Sequence, residues 1–91
     1  MNNISYQVVA TPGTNTTIGT ANQPVIIYGY NTQNPPVSFY DTASATVLIN
    51  SDDPVGDVST KIFSPGVMFP TGCYINAAAN QRVTVFYQKV V

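Results

Sequence analysis

Turn-forming residues punctuate this chain roughly every 8–12 positions, and that spacing limits what can form between them. Thr11-Pro12-Gly13, Asn34-Pro35-Pro36, Asp53-Pro54-Val55-Gly56, Ser64-Pro65-Gly66 and Pro70-Thr71-Gly72 each interrupt regular structure. Proline fixes φ and donates no hydrogen bond, so a central strand cannot run through Pro35-Pro36. The stretches left over are rich in Val, Ile, Thr and Tyr, and none shows a 3.6-residue apolar period. Ala77-Ala78-Ala79 is the one helix-favouring patch, and it is too short to nucleate a helix.

Period-two alternation places the strands. Ile4 to Ala10 comes first, with Ile4, Tyr6 and Val8 on one face and Ser5 and Gln7 on the other. Residues 14–23 are polar and Thr-rich, with a weak edge strand around Thr16–Thr20. Val25 to Asn31 is apolar on both faces near its start and is expected to be central. Gly29 inside it signals a bulge or a close approach by another backbone. Val37 to Asp41, Ala45 to Asn50, Val58 to Phe63 and the short Val67-Met68-Phe69 follow. Cys73 to Ala77 and Arg82 to Val90 read as a closing hairpin. Eight or nine short strands predict an all-β chain. The expected fold is a single small antiparallel β-sandwich over residues 1–91, jelly-roll-like or immunoglobulin-like in its connectivity. Residues 1–23 form either an N-terminal arm or an added edge strand.

Charge then narrows function. The 91 residues include three Lys or Arg and four Asp, with no Glu and no His. At 8 % charged the chain lies far below the usual share of about 25 %. Lys61, Arg82 and Lys89 are too few to neutralise a run of phosphates, which argues against nucleic acid as a partner. No apolar run approaches the roughly 20 residues of a bilayer span, and there is no basic amphipathic segment, so no membrane partner is expected. Met1-Asn2-Asn3-Ile4-Ser5 lacks the charged and apolar regions of a secretory signal. The Asn-x-Ser/Thr sequons at Asn3 and Asn15 are unremarkable in so Asn-rich a chain.

Reactive chemistry is scarce. Without His, no His-based dyad or triad can form, and Cys73 has no base to activate it. It reads as a small buried hydrophobe, with an intermolecular disulfide as the other reading. Asp52, Asp53 and Asp57 share one loop. They could offer oxygens to calcium, but their spacing fits no calcium loop and Asp is an ordinary turn residue. No catalytic, cofactor or metal residues are assigned, and no enzyme is expected.

The aromatic residues are more informative. If Val83, Val85 and Tyr87 point inward, Phe86 must point outward. An exposed Phe marks a contact surface.

From Val25 onward the chain resembles small β-sandwich proteins of tailed-bacteriophage particles. The resemblance is carried by Pro24-Val25-Ile26-Ile27-Tyr28-Gly29-Tyr30, by Val37-Ser38-Phe39-Tyr40-Asp41, and by two endings. These are Phe69-Pro70-Thr71-Gly72-Cys73-Tyr74-Ile75, of the form F-x-x-G-x-Y, and Val83-Thr84-Val85-Phe86-Tyr87, of the form V-T-V-x-Y. The segment before Pro24 carries no resemblance. The resemblance implies a non-enzymatic capsid decoration (cement) protein on the outer capsid surface. Its partner would be the major capsid protein, and it would stabilise the phage head. The alternative is a tail or fibre component, or a module binding host-surface glycans. Self-association as a homo-oligomer such as a trimer fits either. The expected contact residues are Phe86, Pro35 and Pro36 at their turn, and Thr16 and Ile18 in the polar stretch before Pro24.

Overall fold

A computed structural model describes residues 4–10, 13–33, 37–43, 45, 47–50, 58–77 and 81–90. Eight strands run through it. They are β1 (Ser5–Val9), β2 (Asn15–Ile18), β3 (Val25–Gln33), β4 (Ser38–Asp41), β5 (Val47–Asn50), β6 (Val58–Phe69), β7 (Cys73–Asn76) and β8 (Arg82–Lys89). Among the described residues there is no helix.

The strands form two antiparallel sheets, ordered β1-β8-β3-β6 and β2-β7-β4-β5. First pairs with last, second with seventh, third with sixth and fourth with fifth. The chain is thus one long hairpin, with β4–β5 at its tip, rolled until β3 also meets β8 and β4 also meets β7. That is the eight-strand, two-Greek-key jelly roll, which decides between the two connectivities left open by the sequence.

The inner faces build the core. Val25, Ile27, Tyr30, Phe69, Val83 and Val85 of the first sheet meet Ile18, Phe39, Cys73 and Ile75 of the second. Tyr30 packs its ring 5.4 Å from Phe39 and 6.1 Å from Phe63, both tilted, a favourable arrangement for aromatic pairs. No buried side-chain polar atom among the described residues lacks a partner.

Gly29 explains how Tyr30 reaches the core. Strict alternation would put Tyr30 on the face of Ile26 and Tyr28. The register of β3 shifts between Ile27 and Gly29 against both neighbours, and one extra residue flips the parity. Gly29 has φ +155°. A Cβ there would overlap the carbonyl oxygen of Lys61, so both readings of this glycine hold at once.

Two expectations change. Residues 73–77 and 82–90 are not a hairpin, because β7 and β8 lie in different sheets. Ala77, after β7, and Gln81, before β8, are both buried. Ser64-Pro65-Gly66 does not end a strand, since β6 continues through it to Phe69. The edge position of β6 tolerates the missing N–H, and the surplus residues loop out at the register shift.

In β1 the two faces group as alternation predicts, and the structure adds their direction. Ile4, Tyr6 and Val8 are exposed, whereas Val9 is buried. Gln7 fixes that direction. Its Nε2 donates to the Thr17 carbonyl at 2.9 Å, and its Oε1 accepts from the Gly19 N–H at 3.1 Å. The side-chain amide thereby serves as a rung joining β1 to β2 across the seam between the sheets. With Gln7 turned that way, alternation sends Tyr6 and Val8 out.

Candidate functional site

The outer face of the first sheet is apolar across all four strands. Cross-strand register arranges it in rows. One row runs Tyr6, Phe86, Gly29, Ile62, with Tyr28 beside Gly29 at the bulge. The next row includes Gln88, Ile26 and Met68. On the other side Val8, Thr84, Asn31 and Thr60 form a more polar row, where Asn31 Nδ2 donates to Thr60 Oγ1 at 2.6 Å. Paired residues of an antiparallel sheet share a face, so this row order is also a surface map.

Exposure on this face is large. Tyr6 is 71 % exposed and Ile62 69 %. Phe86 lies between them, half-buried. Beside it opens a groove of about 350 Å³ lined by Ile4, Tyr28, Ile62, Phe63, Ser64 and Phe86. Gly66 makes room for its wall, because a Cβ there would meet the Tyr28 ring at 3.0 Å. The Tyr28 hydroxyl is engaged, donating to Gln88 Oε1 at 2.8 Å. Ser64 is the groove's only side chain that is polar without being aromatic.

The remaining polar clusters have structural jobs. Asp41 Oδ1 accepts from the Ala43 N–H at 2.8 Å and from Thr71 Oγ1 at 2.6 Å. Thr42 Oγ1 donates to the Thr71 carbonyl. Together they pin the turn after β4 to the turn before β7. Cys73 is fully buried in β7. Burial first, and the Asp41 carboxylate second, push its thiol up to about 12, against a smaller opposing hydrogen bond from the Tyr40 backbone. Such a thiol is not a nucleophile at neutral pH, and its burial also removes it from an intermolecular disulfide. Among the described residues no three His, Cys, Asp or Glu gather to hold a metal.

The expected contact residues land in different places. Phe86 lies on the outer face, and its neighbours Val83 and Val85 are fully buried while Tyr87 packs against the core. Ile18 is corrected: it is fully buried in the core, so it offers no surface to a partner. Its position opposite Cys73 in the register turns it inward. Thr16 is half-buried on edge strand β2 and is paired with the core residue Ile75. Pro35 and Pro36 lie outside the described residues, as do Asp52, Asp53, Asp57 and Asn3.

Sequence reasoning missed Ile4, Tyr6, Val8, Ile62 and Met68 as surface. Their signal was the same parity that placed Phe86, extended through the neighbouring strands. No helix among the described residues is long and apolar enough to cross a membrane. No family model, no curated protein and no solved structure matches this chain.

Proposed function

We propose that this chain is a non-enzymatic structural protein of a bacteriophage particle, a capsid decoration protein seated on the outer surface of the major capsid protein and stabilising the head. The observation that carries this reading is the apolar patch around Tyr6, Phe86 and Ile62 on a domain where, among the described residues, Cys73 is buried and Asp41 is tied into structural hydrogen bonds. Such a surface suits a protein that works covered by neighbours. The phage setting rests on the sequence resemblance from Val25 onward, because a fold by itself does not choose a function. Contacts with capsid subunits fall on sheet edges, among them the strand holding Thr16, and on the Pro35-Pro36 segment that the sequence singles out. Many weak contacts repeated over a lattice then act together.

The test is the number of copies per major capsid protein in purified particles, counted by quantitative mass spectrometry. A simple ratio sustained over hundreds of copies is the expected result. A handful of copies supports the second reading, a tail or fibre component or a glycan-binding module. The Tyr40 and Tyr74 rings favour that second reading, stacked at 5.0 Å and 10° on the second sheet and half-buried. Absence from the particle overturns both virion placements.

A further inference from the structure

We infer that the outer face of the first sheet is a self-association surface, on which two copies of this chain pack face to face about a two-fold axis, each placing Tyr6 in the other's groove beside Phe86.

Area is the first ground. Ile4, Tyr6, Val8, Ile62 and Met68 are 46–71 % exposed on this face. Together they leave on the order of 600 Å² of mostly apolar surface, the upper end of what a monomer exposes. Covering that area on both copies removes on the order of 1,200 Å², where stable protein interfaces begin.

Charge is the second ground. The rows through Tyr6 and Ile26 contain no ionisable group other than tyrosine. Arg82 sits opposite Gln33 at the far end of the sheet. Within those rows a copy approaching its twin meets no like charge and desolvates no ion, and Lys61 and Lys89 pair in register with the buried Tyr30 and Val25, which turns them to the other face.

Shape is the third ground. An isologous interface needs a knob and a hole on the same face, so that each copy gives one and receives one. Tyr6 is the most exposed large hydrophobic residue described. The groove is lined from the adjacent strands by Phe86, Tyr28 and Ile62. An axis lying in the interface between the two middle strands, β8 and β3, lays β1 of one copy over β6 of the other and brings its Tyr6 to the groove wall at Ile62. The groove volume of about 350 Å³ admits a phenol ring. Ser64 in its lining gives the tyrosine hydroxyl a hydrogen-bond partner, which a buried Tyr needs.

Self-association through this face requires no capsid, so it can stand or fall separately from the proposed function. The full chain is studied by sedimentation equilibrium from low micromolar to about 100 μM, the weak end of specific interfaces of this size. A monomer–dimer equilibrium is expected. Tyr6→Ser should weaken it about 30-fold or more, since each dimer loses two anchors. Tyr6→Phe should keep most of it. Ile62→Lys, which sets a charge on the opposite wall, should also dissociate it. Circular dichroism should show the same fold for all three, because both positions are exposed. A monomer throughout the range, a trimer, or a dimer indifferent to both Tyr6→Ser and Ile62→Lys overturns the assignment.

Discussion

The first sheet has strands of up to 12 residues and turns Tyr6, Phe86 and Ile62 toward the outside. The second is made of four-residue strands and closes its outer side with Tyr40 stacked on Tyr74 and with an Asn76–Asn15 side-chain hydrogen bond. The two share one core but are attached to it differently. In the first sheet, β3 alone sends Val25, Ile27, Tyr30 and Thr32 to the buried side. In the second, β2 contributes Ile18, β4 contributes Phe39 and β5 contributes Ile49 as their buried hydrophobic residues. Three of the four short strands therefore hang on single anchors, as do β1 (Val9) and β6 (Phe69) at the edges of the first sheet, while its central strands β3 and β8 have several and leave an outer face free for other work.

Removing one anchor from the short sheet should give the largest effect. Phe39→Ala deletes a fully buried ring that contacts Tyr30 and should cost about 3–5 kcal/mol in urea denaturation. Ile62→Ala on the long sheet, at a side chain 69 % exposed, should stay within about 0.5 kcal/mol. Equal losses at the two positions would erase the distinction between the sheets.

The long sheet has its own weak point in its backbone. Gly29→Ala would force a Cβ into the Lys61 carbonyl at φ +155°. The expected loss is about 3 kcal/mol, the upper range for strained backbone. It should loosen the β3–β6 pairing, visible as faster amide exchange along β6. A neutral Gly29→Ala would mean that β3 can realign without its bulge, and Tyr30 would then not depend on it.

Much of this architecture is legible in the residues. The strand count, the central place of Val25 onward, the Gly29 irregularity and the outward Phe86 all follow from period-two alternation and turn chemistry. Those signals act within a strand or its immediate neighbour. The β7–β8 connection was misread because a turn sequence does not say whether the chain returns in the same sheet or crosses to the other. In β1, alternation separates Ile4, Tyr6 and Val8 from Ser5 and Gln7 but does not say which set faces out. What decides their direction is Gln7 bonding to Thr17 and Gly19, a non-local contact no local pattern encodes. Ile18 was placed at a surface because its surroundings are polar, although the pairing with Cys73 holds it inside. For the same reason, the groove beside Phe86 could not be seen in the sequence. It is assembled from Ile4, just before β1, and from β3, β6 and β8, and only the rolled topology brings them together.

A smaller effect than either core change should come from Cys73, which tests how well the short sheet seals its side of the core. Its thiol is raised from 9.0 to about 12, chiefly by burial and then by Asp41. The folded state thus holds the proton more tightly than the unfolded chain does. Below pH 9 both states are protonated and the group's full stabilising contribution is present. As pH climbs from 9 toward 12 the unfolded chain ionises first, and stability falls by up to about 1.4 kcal/mol per pH unit. The measurement is therefore taken as a difference. Wild type and Cys73→Ala are unfolded in urea at pH 8 and at pH 10. The gap between them should shrink by about 1 kcal/mol at the higher pH, because only wild type carries the thiol. A thiol-reactive dye at pH 8 should label the wild-type protein only after urea unfolds it. An unchanged gap together with rapid labelling of the native protein would mean that water reaches β7 through the second sheet. Four-residue strands would then fail to seal the core on their side, and the closed outer surface would belong to neither sheet.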